Sequence, residues 1–502
     1  MNLLKNSSDR EKFILNFIIF LGGLLSLYIA LLRNDLIWPD DHFQALEPAS
    51  KIVFDRAALS WEWTSGYRSW SLPLFYVPIL WLCKLFGISG GLVPIYGARV
   101  FNVLISIWSL RRFLTLLEIL ELQRIPKILT LASFALWPSM LLWSNTCFAD
   151  HWIMMIWIII TPCLMKYTRS ENTSNSLKVG LLAGLPIFFK YQPAILCAVL
   201  GVLFLLQRKS FKNLFYFSLG VLTYPLILGI LDWIAYGRFA SALIEQLSVG
   251  EKTSRFYGVS PAYDYFFRIT EDLGTVFLTA LCLSLLIPLL IRRKETLAWF
   301  KKHTQFFSLF ALPLIVYFLI HCLIPHKETR LILPIFPLLF ILLGAGLEIS
   351  SRWFSSTLHN HHLFTQAKVF IFEPIFQLIL LSLVSGYSLW ITQKTPVYLS
   401  SVNIASLENE VYQLQKKDSF TPQCLLLLNH HWSWTRGQLI LGEGVNLIES
   451  TVNDYSLQDS APCRYAILPL THLNAFLIKT SPYEWHTIKT NENQFVLLKR
   501  KN

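Results

Sequence analysis

Long apolar runs separated by short basic clusters dominate this chain from residue 13 to residue 391. A helix needs about 20 apolar residues to cross the hydrocarbon core of a bilayer. Runs of that kind, or close to it, fall near residues 13–32, 95–111, 127–143, 150–166, 178–189, 193–207, 213–231, 272–291, 305–323, 331–349 and 368–391. In lipid, backbone polar groups find partners only inside a helix or a closed barrel, so these runs predict spanning helices. Composition agrees: 54% of residues are hydrophobic and 15% charged, where a soluble domain carries about a quarter charged. The expected fold is an all-α polytopic membrane protein with about 11 transmembrane helices.

The net charge of +12 does not indicate nucleic acid as a partner. The basic residues lie in short clusters between apolar runs, and no nucleic-acid recognition motif accompanies them. Arg111, Arg112, Arg124 and Lys127 form one such cluster. Lys166, Arg169 and Lys178, then Arg208, Lys209 and Lys212, then Arg292, Arg293, Lys294, Lys301 and Lys302 form the others. Basic loops stay cytoplasmic, and this alternation holds when 72–87, broken by Pro73 and Pro78, is a helix lying on the outer face rather than a span. Lys5, Arg10 and Lys12 precede the first run, which has no small-residue cleavage pattern and reads as a retained helix with a cytoplasmic start.

Near Thr395 the composition changes. Helical periodicity over Leu407–Leu414 is followed by β-like runs at Cys424–Leu428 and Tyr465–Leu470. A hairpin is expected over Trp485–Lys499, turning at Thr490-Asn491-Glu492-Asn493. Two domains are expected: 1–394 in the membrane and 395–502 as a small extracytoplasmic α/β domain. Cys424 and Cys463 can pair if that domain lies in an oxidising compartment, although sequence does not bring them together.

This topology gathers four polar segments on the outer side. In Trp38-Pro39-Asp40-Asp41-His42-Phe43-Gln44-Ala45-Leu46-Glu47, three carboxylates fall within one short loop. Adjacent carboxylates repel, which can raise one pKa and make a general base; the alternative is a solvated, helix-capping acidic loop. Trp61-Glu62-Trp63-Thr64-Ser65-Gly66-Tyr67-Arg68-Ser69 suits a ligand with polar and apolar parts, such as a sugar, or is an interfacial aromatic belt. Trp143 to His151, with Asn145 and Asp150, can bind hydroxyls or cap the following helix. Pro325-His326-Lys327-Glu328-Thr329-Arg330 packs four ionisable groups between apolar runs. Such groups at a membrane boundary are paired or functional. Lys327 and Arg330 can hold a phosphate, or pair with Glu328 in a structural turn.

These segments together resemble glycosyltransferase family 22, the lumenal α-mannosyltransferases of GPI-anchor and N-glycan assembly. His326-Lys327-Glu328, Arg330-Leu331, Pro334 and Pro337 are similar to its His-Lys-Glu-x-Arg-Phe signature. Pro39, Asp40, Gln44 and Glu47 resemble its Pro-Asp-Glu-x-x-Gln-x-x-Glu element. Trp61-Glu62-Trp63 with Arg68-Ser69, Ser144-Asn145, and Asp232 with Tyr236-Gly237 match further family stretches in order. Asp41, Ser60 and Leu331 depart from the family's Glu, Thr and Phe, and Lys190-Tyr191-Gln192-Pro193 replaces an Arg-containing stretch. The resemblance covers roughly residues 13–350 and not the C-terminal domain.

The resemblance implies a GT-C fold, a polyprenyl-phosphate sugar donor such as dolichyl-phosphate mannose, a glycan or glycolipid acceptor, and inverting displacement. It assigns Asp40 as general base with Asp41 behind it, and Lys327, Arg330 and His326 to the donor phosphate. Gln44, Glu47, Glu62, Arg68, Asn145 and Glu328 then shape the sugar and acceptor pocket. No cofactor and no metal site are expected; His359, His361 and His362 stand close together but lie in an expected cytoplasmic loop. The membrane is that of the endoplasmic reticulum or a bacterial inner membrane. The rival reading is a polytopic transporter or flippase of lipid-linked sugars, which predicts internal repeats and polar groups near the bilayer midplane; the runs here are nearly free of charge.

Overall fold

The computed structural model describes residues 7–32, 39–169, 172–208, 210–358, 405–418, 424–428, 446–450, 463–469, 473, 476–477, 485–490 and 495–500. Among the described residues, seven helices are long and apolar enough to cross a membrane, by length and composition: Asp9–Leu32, Leu92–Ile119, Ala149–Tyr167, Phe211–Tyr236, Asp264–Ile291, Thr304–Leu323 and Thr329–Arg352. The chain is a multi-pass membrane protein. Its outward faces carry Phe13, Phe20, Leu222, Ile234 and Leu290, which lipid tolerates and water does not. Ala149–Tyr167 and Thr329–Arg352 are 83% buried, so they form the inside of the bundle.

Among the described residues, some of the expected runs are interrupted, for identifiable reasons. The expected 127–143 span divides into Arg124–Leu136 and Pro138–Trp143. Trp137 between them is extended, at φ −65° and ψ 135°. A residue before proline avoids the helical region, and Pro138 has no N–H to continue the ladder. The expected 178–189 span is a helix Thr173–Gly184 that tightens into the 3-10 turn Leu185–Phe188 at Pro186. The 193–207 run is a 15-residue helix, Ala194–Arg208. The 368–391 run lies outside the described residues. The 72–87 stretch forms two short helices, Ser71–Leu74 and Val77–Leu85.

Contact among these helices depends on small residues. A Cβ on Gly180 would lie 2.0 Å from the Phe217 carbonyl oxygen, so Thr173–Gly184 packs backbone to backbone on Phe211–Tyr236. Lipid offers little hydrophobic drive between helices, so close packing of this kind holds them together. The helix Asp264–Ile291 begins earlier than expected and breaks at Gly274, at φ 79° and ψ 153°. Only glycine adopts that conformation readily. The interrupted ladder leaves the Asp272 carbonyl to accept from Ser139 Oγ at 2.6 Å and Trp137 Nε1 at 3.4 Å. Trp143 Nε1 donates to the Asp272 carboxylate at 3.3 Å.

The chain divides into two compact units, 1–28 with 102–145 and 149–391, and 29–101 with 146–148 and 392–502. The second unit contains the C-terminal sheet, ordered β2-β1-β3-β5-β4. β1 is Cys424–Leu428, β2 Asn446–Ser450, β3 Cys463–Pro469, β4 Trp485–Thr490 and β5 Phe495–Arg500. β1 runs parallel to β2 and β3, and β5 is antiparallel to both β3 and β4. The expected hairpin is β4–β5; its turn lies outside the described residues, and β2 was not foreseen. One face buries Leu425, Leu427, Ile467 and Leu497 under Leu407 and Val411 of the helix Ala405–Asp418, with Leu92 packed against the same cluster. The other face buries Leu426, Ala466, Val496 and Leu498. Apolar residues on both faces explain why these strands read as runs rather than as alternation. Cys463 is disulfide-bonded, and register places Cys424 opposite it.

Candidate active site

In the second unit, Pro39–Phe43 is a single helical turn. Proline suits the first helical position, and acidic residues favour the first turn of a helix; both devices place Asp40 and Asp41 there. The two carboxylates differ. Asp41 is buried and accepts from the Cys147 backbone N–H at 2.5 Å, whereas Asp40 is half-buried. Behind them, His42 Nε2 lies 3.3 Å from Glu47 Oε1, both side chains fully buried. The other Glu47 oxygen accepts from Ala58 N–H at 2.5 Å.

Trp63 Nε1 donates to the Phe43 carbonyl at 2.9 Å, tying the second aromatic segment to the first. Gln44 donates to Glu62 Oε2 at 3.3 Å, and Arg68 pairs with Glu62 Oε1 at 2.7 Å. The Glu62 backbone carbonyl accepts from Tyr67 and Arg68 N–H. Gln44, Glu62 and Arg68 thus form one chain of contacts, and Glu47 forms a separate brace with His42.

In the first unit, residues 324–328 join the helix Leu312–Leu323 to the 3-10 turn Thr329–Ile335. His326 Nε2 lies 2.7 Å from Glu328 Oε1, and Arg330 Nε donates to Glu328 Oε2. Burial would push the Glu328 carboxyl up, but the charge of Arg330 and the hydrogen bonds from His326 and Arg330 outweigh it and hold it down at about 2. Lys327 is 3% exposed, donates to the Ile324 carbonyl, and sits 5.4 Å over the Tyr265 ring. Burial lowers its pKa, because a desolvated ammonium is costly. The pairing of Glu328 with Arg330 weighed in the sequence is thus present.

Asn145 Nδ2 and Ser144 Oγ both donate to the Leu141 carbonyl, closing the end of Pro138–Trp143. For Asn145 the structure records this capping contact. Asp150, in the first turn of Ala149–Tyr167, pairs with Lys190 at 3.0 and 3.2 Å, and both side chains are almost completely buried. Sequence reading did not place Lys190 in the site. Its signal was a lone cation between apolar runs, a costly arrangement unless paired. Asp232 accepts from Ala242 N–H at 2.9 Å and so caps the helix Ser241–Phe256. Among the described residues no His, Cys, Asp and Glu converge as metal ligands; His359, His361 and His362 lie outside them.

The comparisons with known proteins agree on one family. Over residues 17–416 the chain matches the model of the Alg9-like mannosyltransferase family. It is 24% identical over 376 residues to zebrafish (Danio rerio) GPI alpha-1,2-mannosyltransferase 3, covering 70% of this chain and 64% of the relative. It is 25% identical over 345 residues to the mouse (Mus musculus) protein of the same name, covering 67% and 59%. The chain thus spans about six-tenths of the length of these curated relatives. In structure it resembles ArnT from Cupriavidus metallidurans bound to undecaprenyl phosphate, with a TM-score of 0.60 and 12% identity over 96% of this chain and 97% of that one. It also resembles mycobacterial arabinofuranosyltransferase AftD, with a TM-score of 0.52 and 13% identity over 97% of this chain and 39% of that one. Both likenesses establish the GT-C fold. Motifs, fold and sequence match converge, and the chain belongs to the Alg9-like mannosyltransferase family.

Proposed function

We propose that this protein is a glycosyltransferase that moves a sugar, mannose, from a polyprenyl-phosphate donor to a glycolipid acceptor. The family match supports the reaction, the names of the relatives support an α-mannosyl product on a GPI-type glycolipid, and ArnT's bound undecaprenyl phosphate supports the donor class. The single observation that carries the reading is the pair of ordered motifs, Asp40 to Glu47 and His326 to Arg330, in a chain with this fold.

The reaction we propose is a single inverting displacement. The acceptor hydroxyl attacks the anomeric carbon, its proton passes to Asp40, and the bond to the polyprenyl phosphate breaks. The family motif supports Asp40 in the base role; it is half-buried, and Asp41 is buried and accepts from a backbone N–H. Phosphate is a weak base when it leaves, so charge stabilisation matters more than protonation. Lys327 and Arg330 supply that charge, with His326 beside them; Gln44, Glu47, Glu62, Arg68, Asn145 and Glu328 shape the surroundings.

The positive charge between spans supports a cytoplasmic N-terminus, with both motifs and the C-terminal sheet on the opposite, lumenal side of the endoplasmic reticulum or an equivalent membrane. The test is turnover. Purified chain in lipid, given radiolabelled polyprenyl-phosphate mannose and a mannosylated glycolipid, should produce elongated glycolipid. Retention or translocation of the donor without product would favour a transporter and overturn the reading.

A further inference from the structure

Within the His326–Arg330 loop the cations are held in two different ways. His326 and Arg330 both turn to Glu328. Lys327 does not. It is 3% exposed, and among the described residues no carboxylate forms an ion pair with it. Asp264, at the start of the span Asp264–Ile291, pairs instead with Arg268 at 3.0 Å. A buried ammonium without an anion is costly unless other groups hold it.

Two neutral groups do so. One is the Ile324 carbonyl, which accepts from Lys327 Nζ. Ile324 caps the C-terminal end of the helix Leu312–Leu323 in an extended conformation, at φ −69° and ψ 133°. The last carbonyls of a helix lack intrahelical donors and carry the negative end of its dipole. The other is the Tyr265 ring, whose centroid lies 5.4 Å from Lys327 Nζ. A cation within about 6 Å of an aromatic centroid is attracted by the ring quadrupole, most strongly where both are out of water. Tyr265 is fully buried. It stands in the first turn of Asp264–Ile291, and its ring packs on Phe318 with centroids 6.1 Å apart. Phe318 belongs to the same helix that ends at Ile324, so ring and carbonyl share one support. The far end of the loop is tied to that helix as well, because Tyr317 Oη donates to the Leu331 carbonyl at 3.2 Å.

We propose that Tyr265 is a positioning residue for the transfer reaction: its ring face holds the Lys327 ammonium in place while leaving that charge free to meet the phosphate of the lipid-linked sugar. The argument is one of charge. A carboxylate would place the ammonium but neutralise it, as Glu328 does for Arg330. A ring and a carbonyl carry no net charge, so they place the cation without cancelling it. An ammonium has three N–H donors. The Ile324 carbonyl takes one, and donors remain for phosphate oxygens. Lysine is otherwise a point charge on a flexible stem. Fixing that stem in advance removes an ordering cost from the reaction and aims the charge where it grows in the transition state. The positioning role rests on the proposed transferase reading; the contact of ring and ammonium does not.

The test uses the full chain in phosphatidylcholine nanodiscs. Tyr265→Phe is the reference, because it keeps the ring. Phenylalanine carrying one, two or three fluorines is then encoded at position 265. Fluorine draws electron density off the ring face and barely changes its size, so it weakens the hold on a cation and little else. Transfer at saturating donor should fall stepwise along the series, roughly tenfold in all. The half-saturating acceptor concentration should stay within about twofold. A ring that only fills space would give no gradient, so a rate that ignores the fluorine number would overturn the positioning role. The contact itself is read without turnover, by a double-mutant cycle of melting temperatures. Tyr265→Leu should cost less stability in a Lys327→Met chain than in wild type. Equal costs in the two backgrounds would overturn the contact and the positioning role with it. If wild-type chain transfers no sugar, the transferase reading fails, while the cycle alone decides the contact.

Discussion

The two motif-bearing segments differ in how far backbone groups hold their charges. In residues 39–68 the carboxylates of Asp41 and Glu47 are held by backbone N–H groups, and Glu62 joins Gln44 to Arg68. In residues 326–330 the charged groups satisfy one another, with His326 and Arg330 on Glu328, while Lys327 rests on a carbonyl and a ring. Backbone partners cannot leave without unfolding the turn. An ion pair can be exchanged for another anion at little cost in geometry. On the proposed reading, the first segment is a fixed frame beside Asp40, and the second a set of cations whose present partner a phosphate would replace.

The sharpest way to break this contrast is at Asp40. Asp40→Asn keeps size and loses basicity, so transfer should fall by about 10²–10⁴ while donor binding survives. The frame predicts a different result for Asp41→Asn: lower thermal stability, with activity lost only as the fold is lost. Near wild-type transfer by Asp40→Asn, measured in single turnovers, would move the base elsewhere.

Next in size is Arg330→Lys, which keeps charge but loses the planar fork. About a hundredfold loss in transfer is expected, with a smaller loss in donor affinity, because charge grows on the departing oxygen in the transition state. If Arg330 serves only Glu328, the double change Glu328→Gln with Arg330→Gln should restore much of the activity. That recovery would show that the cations of the second segment are as structural as the frame of the first.

Sequence and structure divide this contrast between them. The identity of both segments was legible because runs of ionisable residues beside apolar spans are expensive and stand out, and because their order matches a family. The architecture was legible from the length of the apolar runs, although Pro138 and Pro186 broke two of them into shorter helices. Pairings across distance were not legible. Nothing local to Lys190 points to Asp150, nothing near Asp41 points to the Cys147 N–H, and the Asp272 carbonyl becomes an acceptor only because Gly274 breaks its helix. Strand β2 was hidden because its run is short and polar-flanked.

A smaller effect is expected at Glu47. Its carboxylate holds His42 and the Ala58 N–H with no exposure to water. Glu47→Gln puts an amide donor where two donors already converge, and leaving a buried group unsatisfied costs about 1–3 kcal/mol. The melting temperature should fall, and transfer at low temperature should change far less than in Asp40→Asn. A Glu47→Gln chain that is as stable as wild type but inactive would give Glu47 a direct role at the substrate and blur the distinction between frame and base.

The smallest effect concerns pH, and it separates the segments through Glu328. Its folded-state pKa is held at about 2 by Arg330 and His326 against the upward push of burial. An ordinary glutamate titrates near 4.3. The folded value is the lower one, so the stabilisation this group gives is complete above about 4.3 and is lost as pH falls toward 2. Between pH 5 and 8 the pairing is therefore constant, and no part of a neutral pH–rate profile should arise from Glu328. Replacing it by Gln should leave the shape of that profile unchanged, whatever it does to the rate. The variant should instead flatten the acid limb of a stability curve between about pH 4.3 and 2, where wild type loses the contact and Glu328→Gln has none to lose. Melting temperatures of the two chains measured in one detergent across that window would decide it. A wild-type curve no steeper than the variant's would mean that the Glu328 carboxylate is not held by Arg330 and His326, and the exchangeable pairing that distinguishes the second segment would lose its basis.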